Sequence, residues 1–321
     1  MHATFRQLRL FLAFSESLSV TAAARSCHVT QPTASMQLKE LANTVGMPLY
    51  EQVGKRLYLT AAGRSLARTA RAMVDEWSAF EQDIDAMNGV TRGSLRLSIV
   101  STAKYFVPRL LGSFCAAHPD IDVALEVLNR DGVVRRLRDN LDDLYIMSMP
   151  PDELQLERHA FLANPLEVIA CASHPLVGRN DITLADLRGM RFILREKGSG
   201  TRRAGDQHFA RLGFVPDVRL ELGSNEAIKQ AVAAGLGLAL LSRHTLSSSP
   251  EDEQLAILRI EGFPIHASWW TLYPKGKRLS PIARAFLAHI EDSPDTATGQ
   301  TETVQGGGGT SPENGPGQNM E

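Results

Sequence analysis

The sequence is poor in several features that mark whole classes of protein. Its three cysteines, Cys27, Cys115 and Cys171, are isolated in sequence, which argues against a disulfide framework or a zinc site. No window approaches the roughly 18 apolar residues of a membrane span, and the first residues lack a basic segment followed by an apolar run. The nine histidines are scattered and form no catalytic constellation. We therefore expect a cytoplasmic protein that is no enzyme, holds no metal or cofactor and contacts no membrane.

Net charge is nearly absent overall but not locally. The 321 residues sum to −2, yet residues 1–71 hold nine Lys and Arg against three Glu, a difference of +6. The hydrophobic content of 43% is enough for two or three domains with cores of their own. A cationic end on a nearly neutral chain predicts that this end binds a polyanion.

The stretch from Ser19 to Leu41 predicts two short helices joined by a tight turn. Ser19 caps an Ala-rich first helix that ends near Cys27, and Thr30 caps a second helix with Pro32 in its first turn. An apolar stripe on the second helix recurs at the helical period through Ala34, Leu38, Leu41 and Val45. This pattern fits a helix-turn-helix, and an ordinary helical hairpin in a three-helix core fits the spacing equally well.

The opposite face of the second helix is small and polar, as the major groove of DNA requires. The residues expected to read bases are Gln31, Pro32, Thr33, Ser35 and Met36, with Lys39 on a phosphate.

Farther along, Gly54-Lys55-Arg56 forms a turn between two short extended runs. This predicts a wing whose Lys55 and Arg56 contact phosphates, and a solvated surface turn is the alternative.

A long helix is predicted after Thr60, which serves as its cap. Its apolar positions alternate spacings of four and three over three heptads, through Leu66, Ala70, Met73, Trp77, Phe80, Ile84 and Met87. A helix of about 28 residues spans roughly 40 Å, which is too long for a small domain to bury alone. The pattern favours pairing with a second copy, and a single amphipathic helix lying on its own domain is the alternative.

From Ser94 onward, strands and helices alternate in the βαβ rhythm of a parallel sheet covered on both faces. The predicted fold is therefore α+β and multidomain. It comprises a winged helix-turn-helix (1–60, motif about 20–40), a linker or coiled-coil helix (61–90) and two α/β lobes (91–292). Lobe 1 covers about 91–163 and 267–292, and lobe 2 about 164–266. Residues 293–321 are rich in Gly, Pro and polar residues, so we expect a disordered tail.

Three strand ends carry the hydroxyls, glycines and cations that bind anions in α/β proteins. The expected effector-binding residues are Ser101, Thr102 and Lys104, then Ser199, Gly200, Thr201 and Arg202, and finally Asn225 and Glu226. Such a set suits a phosphate or a carboxylate. Each stretch taken singly is equally explained as a helix cap, and Lys229 is expected to be a solvated cation on a helix surface.

Taken together, these pieces resemble the LysR-type transcriptional regulators over roughly residues 4–292. The likeness rests on the residues at 5–8, 22–23, 29–35, 41, 46–51 and 59–63. Within that family the chain looks most similar to regulators of the RuBisCO (Calvin cycle) operon, through the residues at 100–108, 194–202, 222–232 and 277–281.

The resemblance implies a linker-helix dimer, usually assembled into a tetramer, and a two-lobed effector domain of periplasmic-binding-protein type. It implies double-stranded promoter DNA, further copies of the chain and RNA polymerase as candidate partners. The implied effectors are a sugar bisphosphate, phosphoenolpyruvate or NADPH.

Two segments depart from the family pattern. Gln52 stands where Arg is common, and 145–149 (Tyr-Ile-Met-Ser-Met) place bulk and no cation toward the cleft.

Two other functions stay open at this point. A cytoplasmic metabolite-binding or enzymatic α/β module with an unrelated N-terminal segment would have no affinity for duplex DNA. A LysR-type regulator of another pathway, such as aromatic or sulfur metabolism, would keep the same mechanism with a different effector. In the favoured hypothesis, a metabolite bound between the lobes reorients the subunits and so changes the spacing or bending of the DNA they hold.

Overall fold

A computed structural model describes residues 3–87 and 92–293 of the chain. Its N-terminal part is built from three helices, α1 (Phe5–Ser17), α2 (Val20–Ser26) and α3 (Gln31–Val45), followed by the hairpin strands β1 (Tyr50–Val53) and β2 (Arg56–Leu59). The three helices share a core in which Phe11, Phe14, Ala23, Leu38 and Leu41 have no exposed surface. This core fixes the angle between α2 and α3.

The long helix α4 (Ala61–Met87) begins where Thr60 ties it to the hairpin. The Thr60 hydroxyl accepts a hydrogen bond from the Gly63 amide (3.0 Å) and donates one to the Pro48 carbonyl (2.6 Å). Gly63 lies so close to the hairpin that a Cβ atom there would be 1.9 Å from the Leu49 carbonyl oxygen. Only glycine therefore lets α4 approach the hairpin this closely.

The remaining elements form two lobes that alternate strands and helices. They are β3 (Gly93–Val100), α5 (Val107–Ala117), β4 (Ile121–Leu128), α6 (Arg130–Arg138), β5 (Leu144–Met147), β6 (Leu156–Ala163), β7 (Leu166–Cys171), β8 (Arg191–Arg195), α7 (Gly200–Arg211), β9 (Asp217–Leu222), α8 (Asn225–Ala233), β10 (Leu238–Ser242), β11 (Leu255–Ile257), β12 (Ser268–Pro274) and α9 (Pro281–Glu291). Short 3-10 turns cover Ser101–Tyr105, Arg243–Thr245 and Pro250–Glu253.

Each lobe contains one five-stranded sheet. The first has the order β4-β3-β5-β12-β6, and the second has the order β11-β7-β10-β8-β9. Strand β3 is parallel to β4 and β5, and β8 is parallel to β9 and β10. Strands β12 and β6 in the first sheet and β7 and β11 in the second pair antiparallel to their neighbours. The prediction of parallel sheets is therefore correct on one side of each sheet and wrong on the other, where strands of the two crossing segments complete the sheets.

The chain passes between the lobes twice, and the two crossings are bonded to each other. The Asn164 amide donates to the Ala267 carbonyl at 2.7 Å. Its buried side-chain oxygen accepts from the Ser242 hydroxyl at 2.6 Å. The two crossings therefore act as one hinge. A rotation of one lobe relative to the other must bend both crossings at once.

Helix α4 lies against the first lobe through a group of ion pairs. Arg96 of β3 contacts Asp75 of α4 (2.7 Å) and Asp143 (2.9 Å), all three side chains being largely buried. Arg278 contacts Glu76 (3.1 Å) and Asp83 (2.9 Å) of the same helix. Burial raises the pKa of the Asp75 carboxyl, and the adjacent Arg96 opposes that rise. The linker helix is thus fastened to lobe 1 of its own chain.

Two expectations fall on residues outside the described ranges. The predicted end of the linker helix lies within 88–91, and the predicted disordered tail is described only at Ser293. Among the described helices, none is both long and apolar enough to cross a bilayer.

The tight approach at Gly63 gives a stability prediction. We expect Gly63→Ala to lower the free energy of unfolding by about 1–3 kcal/mol, because the added methyl group would overlap a backbone oxygen that belongs to the hairpin. Thermal melting followed by circular dichroism would measure the change.

The matched control is Gly112→Ala, in the exposed part of helix α5. A Cβ at Gly112 meets no other described heavy atom within 4 Å, so this substitution should be neutral or stabilising by about 0.5–1 kcal/mol. Equal melting temperatures for the two variants would show that the hairpin does not need the glycine.

Candidate DNA-binding surface and effector cleft

Helices α2 and α3 form the predicted helix-turn-helix. The Ser19 hydroxyl accepts from the Ala22 amide (3.3 Å) and the Thr30 hydroxyl from the Thr33 amide (3.4 Å), so both predicted caps are present. Between the helices the chain turns at His28, whose φ of 55° is left-handed, and the Val29 amide returns to the Ala24 carbonyl at 2.9 Å. The turn is therefore held by a backbone bond to the end of α2 and by the Thr30 side-chain cap at the start of α3.

The outward face of α3 presents most of the residues predicted to read bases. Gln31, Pro32, Ser35, Met36 and Lys39 are exposed, and Met36 keeps 55% of its surface accessible. Thr33 is only partly exposed, and its hydroxyl lies 2.8 Å from that of Thr30. The face offers amide, hydroxyl and thioether groups together with one cation, which is the mixture that reads base edges while holding a phosphate.

The wing has the geometry of a two-residue hairpin. Val53 pairs with Arg56, leaving Gly54 and Lys55 at the tip, with Gly54 at a φ of 64°. Lys55 and Arg56 are both exposed. Gln52 donates from its side chain to the Gly54 carbonyl at 3.0 Å, so it stabilises the tip of the wing.

Most of the cations counted in the N-terminal region are available at the surface. Arg6, Arg9, Arg25, Lys39, Lys55, Arg56, Arg64 and Arg68 are exposed. Arg71 is the exception, because its side chain is buried and forms an ion pair with Glu16 of α1. Burial lowers the pKa of Arg71, and its role is to join α4 to α1.

The linker helix leaves part of its heptad pattern uncovered. Met73, Trp77, Phe80 and Ile84 are between 41% and 52% exposed, whereas Ala70 and Ala79 are buried against the rest of the chain. Phe5 of α1 extends this surface, with its ring centroid 5.9 Å from that of Trp77. A single chain therefore covers one face of α4 and exposes an apolar stripe on another.

Between the lobes, five of the nine residues predicted to bind an effector line one small cavity. These are Ser101, Thr102, Ser199, Gly200 and Thr201. The two segments come from opposite lobes, one after β3 and the other at the start of α7. Ser199 precedes α7 but makes no capping bond through its hydroxyl, which leaves that hydroxyl and the first amides of the helix for a ligand.

The other four predicted residues are engaged with their own neighbours. Lys104 contacts Glu226 across the lobes at 3.1 Å, and the Tyr105 hydroxyl donates to the same carboxylate. Although burial raises it, these bonds lower the pKa of the Glu226 carboxyl to about 2. Arg202 forms ion pairs with Asp206 and Glu221, both at 2.9 Å, and the Asn225 side chain accepts a hydrogen bond from Arg195.

Arg195, which the sequence analysis did not single out, joins the two lobes. It is 2% exposed and pairs with Glu196 at 2.9 Å. Its guanidinium also donates to Asn225 (2.6 Å) and, across the cleft, to Ser101 at 3.2 Å. These hydrogen bonds, together with those of Lys104 and Tyr105 to Glu226, hold the lobes closed.

Arg130 is the second buried guanidinium in the cleft. It lies at the start of α6, donates to the Met149 carbonyl at 2.8 Å, and is 3.6 Å from the exposed carboxylate of Asp131. Burial lowers its pKa, and the nearby charge of Arg203 lowers it further. A buried cation with so little compensation favours an anion beside it.

Other residues therefore compensate for the absence of a cation in segment 145–149. Met147, Ser148 and Met149 do line the cleft, as expected, but Arg130 and Arg195 supply the positive charge. Trp269 also lines the cleft, and its buried indole nitrogen has no hydrogen-bond partner among the described residues. The only signals for these groups in the sequence are an arginine that directly follows an Asn cap and another that ends a buried strand.

The cavity that these residues enclose is very small, about 10 Å³. That volume suits roughly one water molecule, whereas binding sites for metabolites measure about 300–1,000 Å³. A ligand of that size can reach Arg130 and Ser199 only when the lobes move apart. Within the described residues, no group of three or more His, Cys, Asp or Glu side chains is placed to hold a metal.

A helix-turn-helix with a wing, joined to two lobes around a cleft, defines a DNA-binding regulator that responds to a small ligand. Residues 5–64 match the bacterial regulatory helix-turn-helix protein, lysR family, and residues 88–294 match the LysR substrate binding domain. The chain belongs to the LysR family of transcriptional regulators, whose members are regulators and not enzymes.

Relatives of known name match nearly the full chain. A RuBisCO operon transcriptional regulator of Acidithiobacillus ferrooxidans is 44% identical over 90% of this chain and 94% of its own length. The transcriptional activator CmpR of Synechocystis is 42% identical over 90% and 95%. The regulatory domain of Synechocystis CcmR, solved in complex with 2-PG, is 47% identical with a TM-score of 0.61, covering 65% of this chain and 99% of that domain.

The exposed wing gives a prediction about DNA binding. We expect Lys55→Ala with Arg56→Ala to weaken binding to all duplex sequences and to flatten the dependence of log affinity on log salt by about 0.9 per lost phosphate contact, thus about two units in total. Fluorescence anisotropy across a salt series would measure the slope. Arg188→Ala, which removes an exposed arginine from the second lobe, is the control. An unchanged slope in the double variant would remove the wing from the contact surface.

Proposed function

We propose that this regulator controls the genes of a RuBisCO operon and that its effector is a small phosphorylated organic anion bound between the lobes. The buried guanidinium of Arg130, facing hydroxyls from both lobes, is the observation that supports an anionic effector. The 44% identical relative named for the RuBisCO operon supports the target. The neighbour that binds 2-PG, at 47% identity, supports the chemical class of the effector.

Each region takes one part of this function. Residues 1–60 bind DNA, with Gln31, Pro32, Thr33, Ser35 and Met36 at the bases and Lys39, Lys55 and Arg56 at phosphates. Residues 61–90 join two copies through the exposed stripe of α4, and residues 91–292 bind the effector. Two such dimers form the tetramer that holds two pairs of helix-turn-helix units on one operator.

Effector binding is coupled to the separation of the lobes. An anion that enters the cleft competes for the hydroxyls that Arg195 now holds, and it gains the charge of Arg130. The open arrangement is therefore favoured by the ligand's differential affinity for the two states. Candidate effectors are ribulose 1,5-bisphosphate, phosphoenolpyruvate, NADPH and 2-PG.

A LysR-type regulator of a different operon is the second candidate. The CmpR relative, named differently from the RuBisCO regulators, is 42% identical and matches an equal share of the chain. This candidate keeps the same DNA-binding surface and the same anion-binding cleft. It differs only in the operator and in the effector that alters binding.

Genomic pull-down by the purified protein would test the target. We expect fragments upstream of RuBisCO genes to be enriched at a two-fold related site, and ribulose 1,5-bisphosphate to change the enrichment. Enrichment elsewhere would favour the second candidate. No enrichment at low salt would contradict DNA binding by this chain.

Arg130→Met tests the cleft. We expect it to weaken binding of the effector at least tenfold, the typical effect of losing a charge-assisted hydrogen bond, while binding to the operator without effector stays unchanged. Isothermal titration with each of the four candidates, together with anisotropy on operator DNA, would measure the two affinities. Arg188→Met is the control, and equal effector affinity in wild type and Arg130→Met would place the effector elsewhere.

A further inference from the structure

A second and much larger cavity, about 590 Å³, lies between the lobes. Its volume is in the range of sites that bind small organic ligands. Phe106 forms part of its wall and packs against Trp269, which lines the effector cleft, with ring centroids 5.0 Å apart. The two cavities are therefore neighbours, divided by aromatic side chains.

The two lobes contribute different chemistry to this second cavity. Lobe 1 supplies an apolar wall from Phe106, Leu110 and Phe161. Lobe 2 supplies Lys229 and Arg243, and Arg109 adds a third cation from lobe 1. Glu253 is the acidic residue of the lining, and it pairs with Lys229. The cavity is therefore amphipathic, with an apolar wall facing charged side chains.

Lys229 and Arg243 are partly desolvated by this arrangement. The Lys229 side chain is 12% exposed and lies 3.1 Å from Glu253, in contrast to the solvated cation expected from the sequence. One terminal nitrogen of Arg243 is buried and has no hydrogen-bond partner among the described residues. Burial raises the pKa of the nearby Glu167 carboxyl, and the charge of Arg243 opposes that rise. An unpaired buried guanidinium nitrogen is costly, which favours an acceptor supplied by a ligand.

We propose that this cavity is a second ligand site, distinct from the effector cleft, for an organic anion. The carboxylate or phosphate of the ligand bonds Arg243 and Lys229, and its carbon skeleton packs on Phe106 and Phe161. The ligand would contact both lobes. This assignment does not depend on which operon the protein controls.

The two sites share a structural element. The 3-10 turn Ser101–Tyr105 gives Ser101 and Thr102 to the effector cleft and Tyr105 to the second cavity. A ligand in one cavity therefore contacts the segment that forms the wall of the other. Such an arrangement couples the two binding equilibria, and the coupling is reciprocal.

Titration of the full-length protein with phenyl phosphate tests the site, because this probe joins an aromatic ring to a dianion. We expect saturable binding, with inorganic phosphate and benzyl alcohol each binding at least tenfold more weakly, since each supplies only half of the interactions. Arg243→Gln should weaken phenyl phosphate at least tenfold. Arg188→Gln, at an exposed arginine of the same lobe, should leave it unchanged.

A second variant keeps the test decisive if Arg243→Gln fails to fold. Ser248→Trp places a large side chain on the exposed rim of the cavity, and it should also abolish binding while preserving the circular dichroism spectrum and melting temperature. Loss of binding in Arg130→Met alone would place the probe in the effector cleft and overturn the proposal. Equal affinity for phenyl phosphate and inorganic phosphate, or unchanged binding in both cavity variants, would also overturn it.

Discussion

The ion pairs between the linker helix and the first lobe are the constraint on which the arrangement of the whole chain depends. Arg96 lies between Asp75 of α4 and Asp143 of its own lobe, and the three side chains are largely removed from water. Buried ion pairs add little net stability, because desolvation offsets most of their attraction. They are strongly directional, however, and a displaced helix would leave buried charges without partners. Their effect is to fix the orientation of α4, and with it the DNA-binding helices, on lobe 1.

The closed cleft shows a second use of buried charge. The charge of Arg195 is neutralised by Glu196. Its other N–H groups donate hydrogen bonds to Asn225 of lobe 2 and Ser101 of lobe 1, and these bonds stabilise the closed state. Arg130 is only weakly compensated, so the same closed state carries an electrostatic cost. An anion removes that cost but needs more space than the closed cleft provides. These opposing terms suit a domain with two states of similar free energy.

Local sequence patterns predicted many elements of this molecule correctly. The features that they missed depend on contacts between residues distant in sequence. The caps at Ser19 and Thr30 and the apolar stripe of α3 follow from neighbours within one or two turns, so the sequence predicted them correctly. Strand β6 was not predicted, because Glu157, Arg158 and His159 fill the first half of this edge strand and leave only a short apolar run at its end. In the cleft, hydroxyls after strand ends were recognisable, but Arg130 and Arg195 gain their importance from burial between lobes distant in sequence.

Strand β3 connects these observations and indicates which part of the chain moves. Arg96, which holds α4, lies in β3, and Ser101, which accepts from Arg195, directly follows that strand. Strand β3 pairs with β4 from Gly93 to Val100 and with β5 from Leu97 to Ile99. A strand bonded on both sides does not stretch or rotate independently, so lobe 1 and the linker helix behave as one body. Opening of the cleft therefore displaces lobe 2 relative to that body. Within one chain, this displacement therefore leaves the orientation of α4 on lobe 1 unchanged.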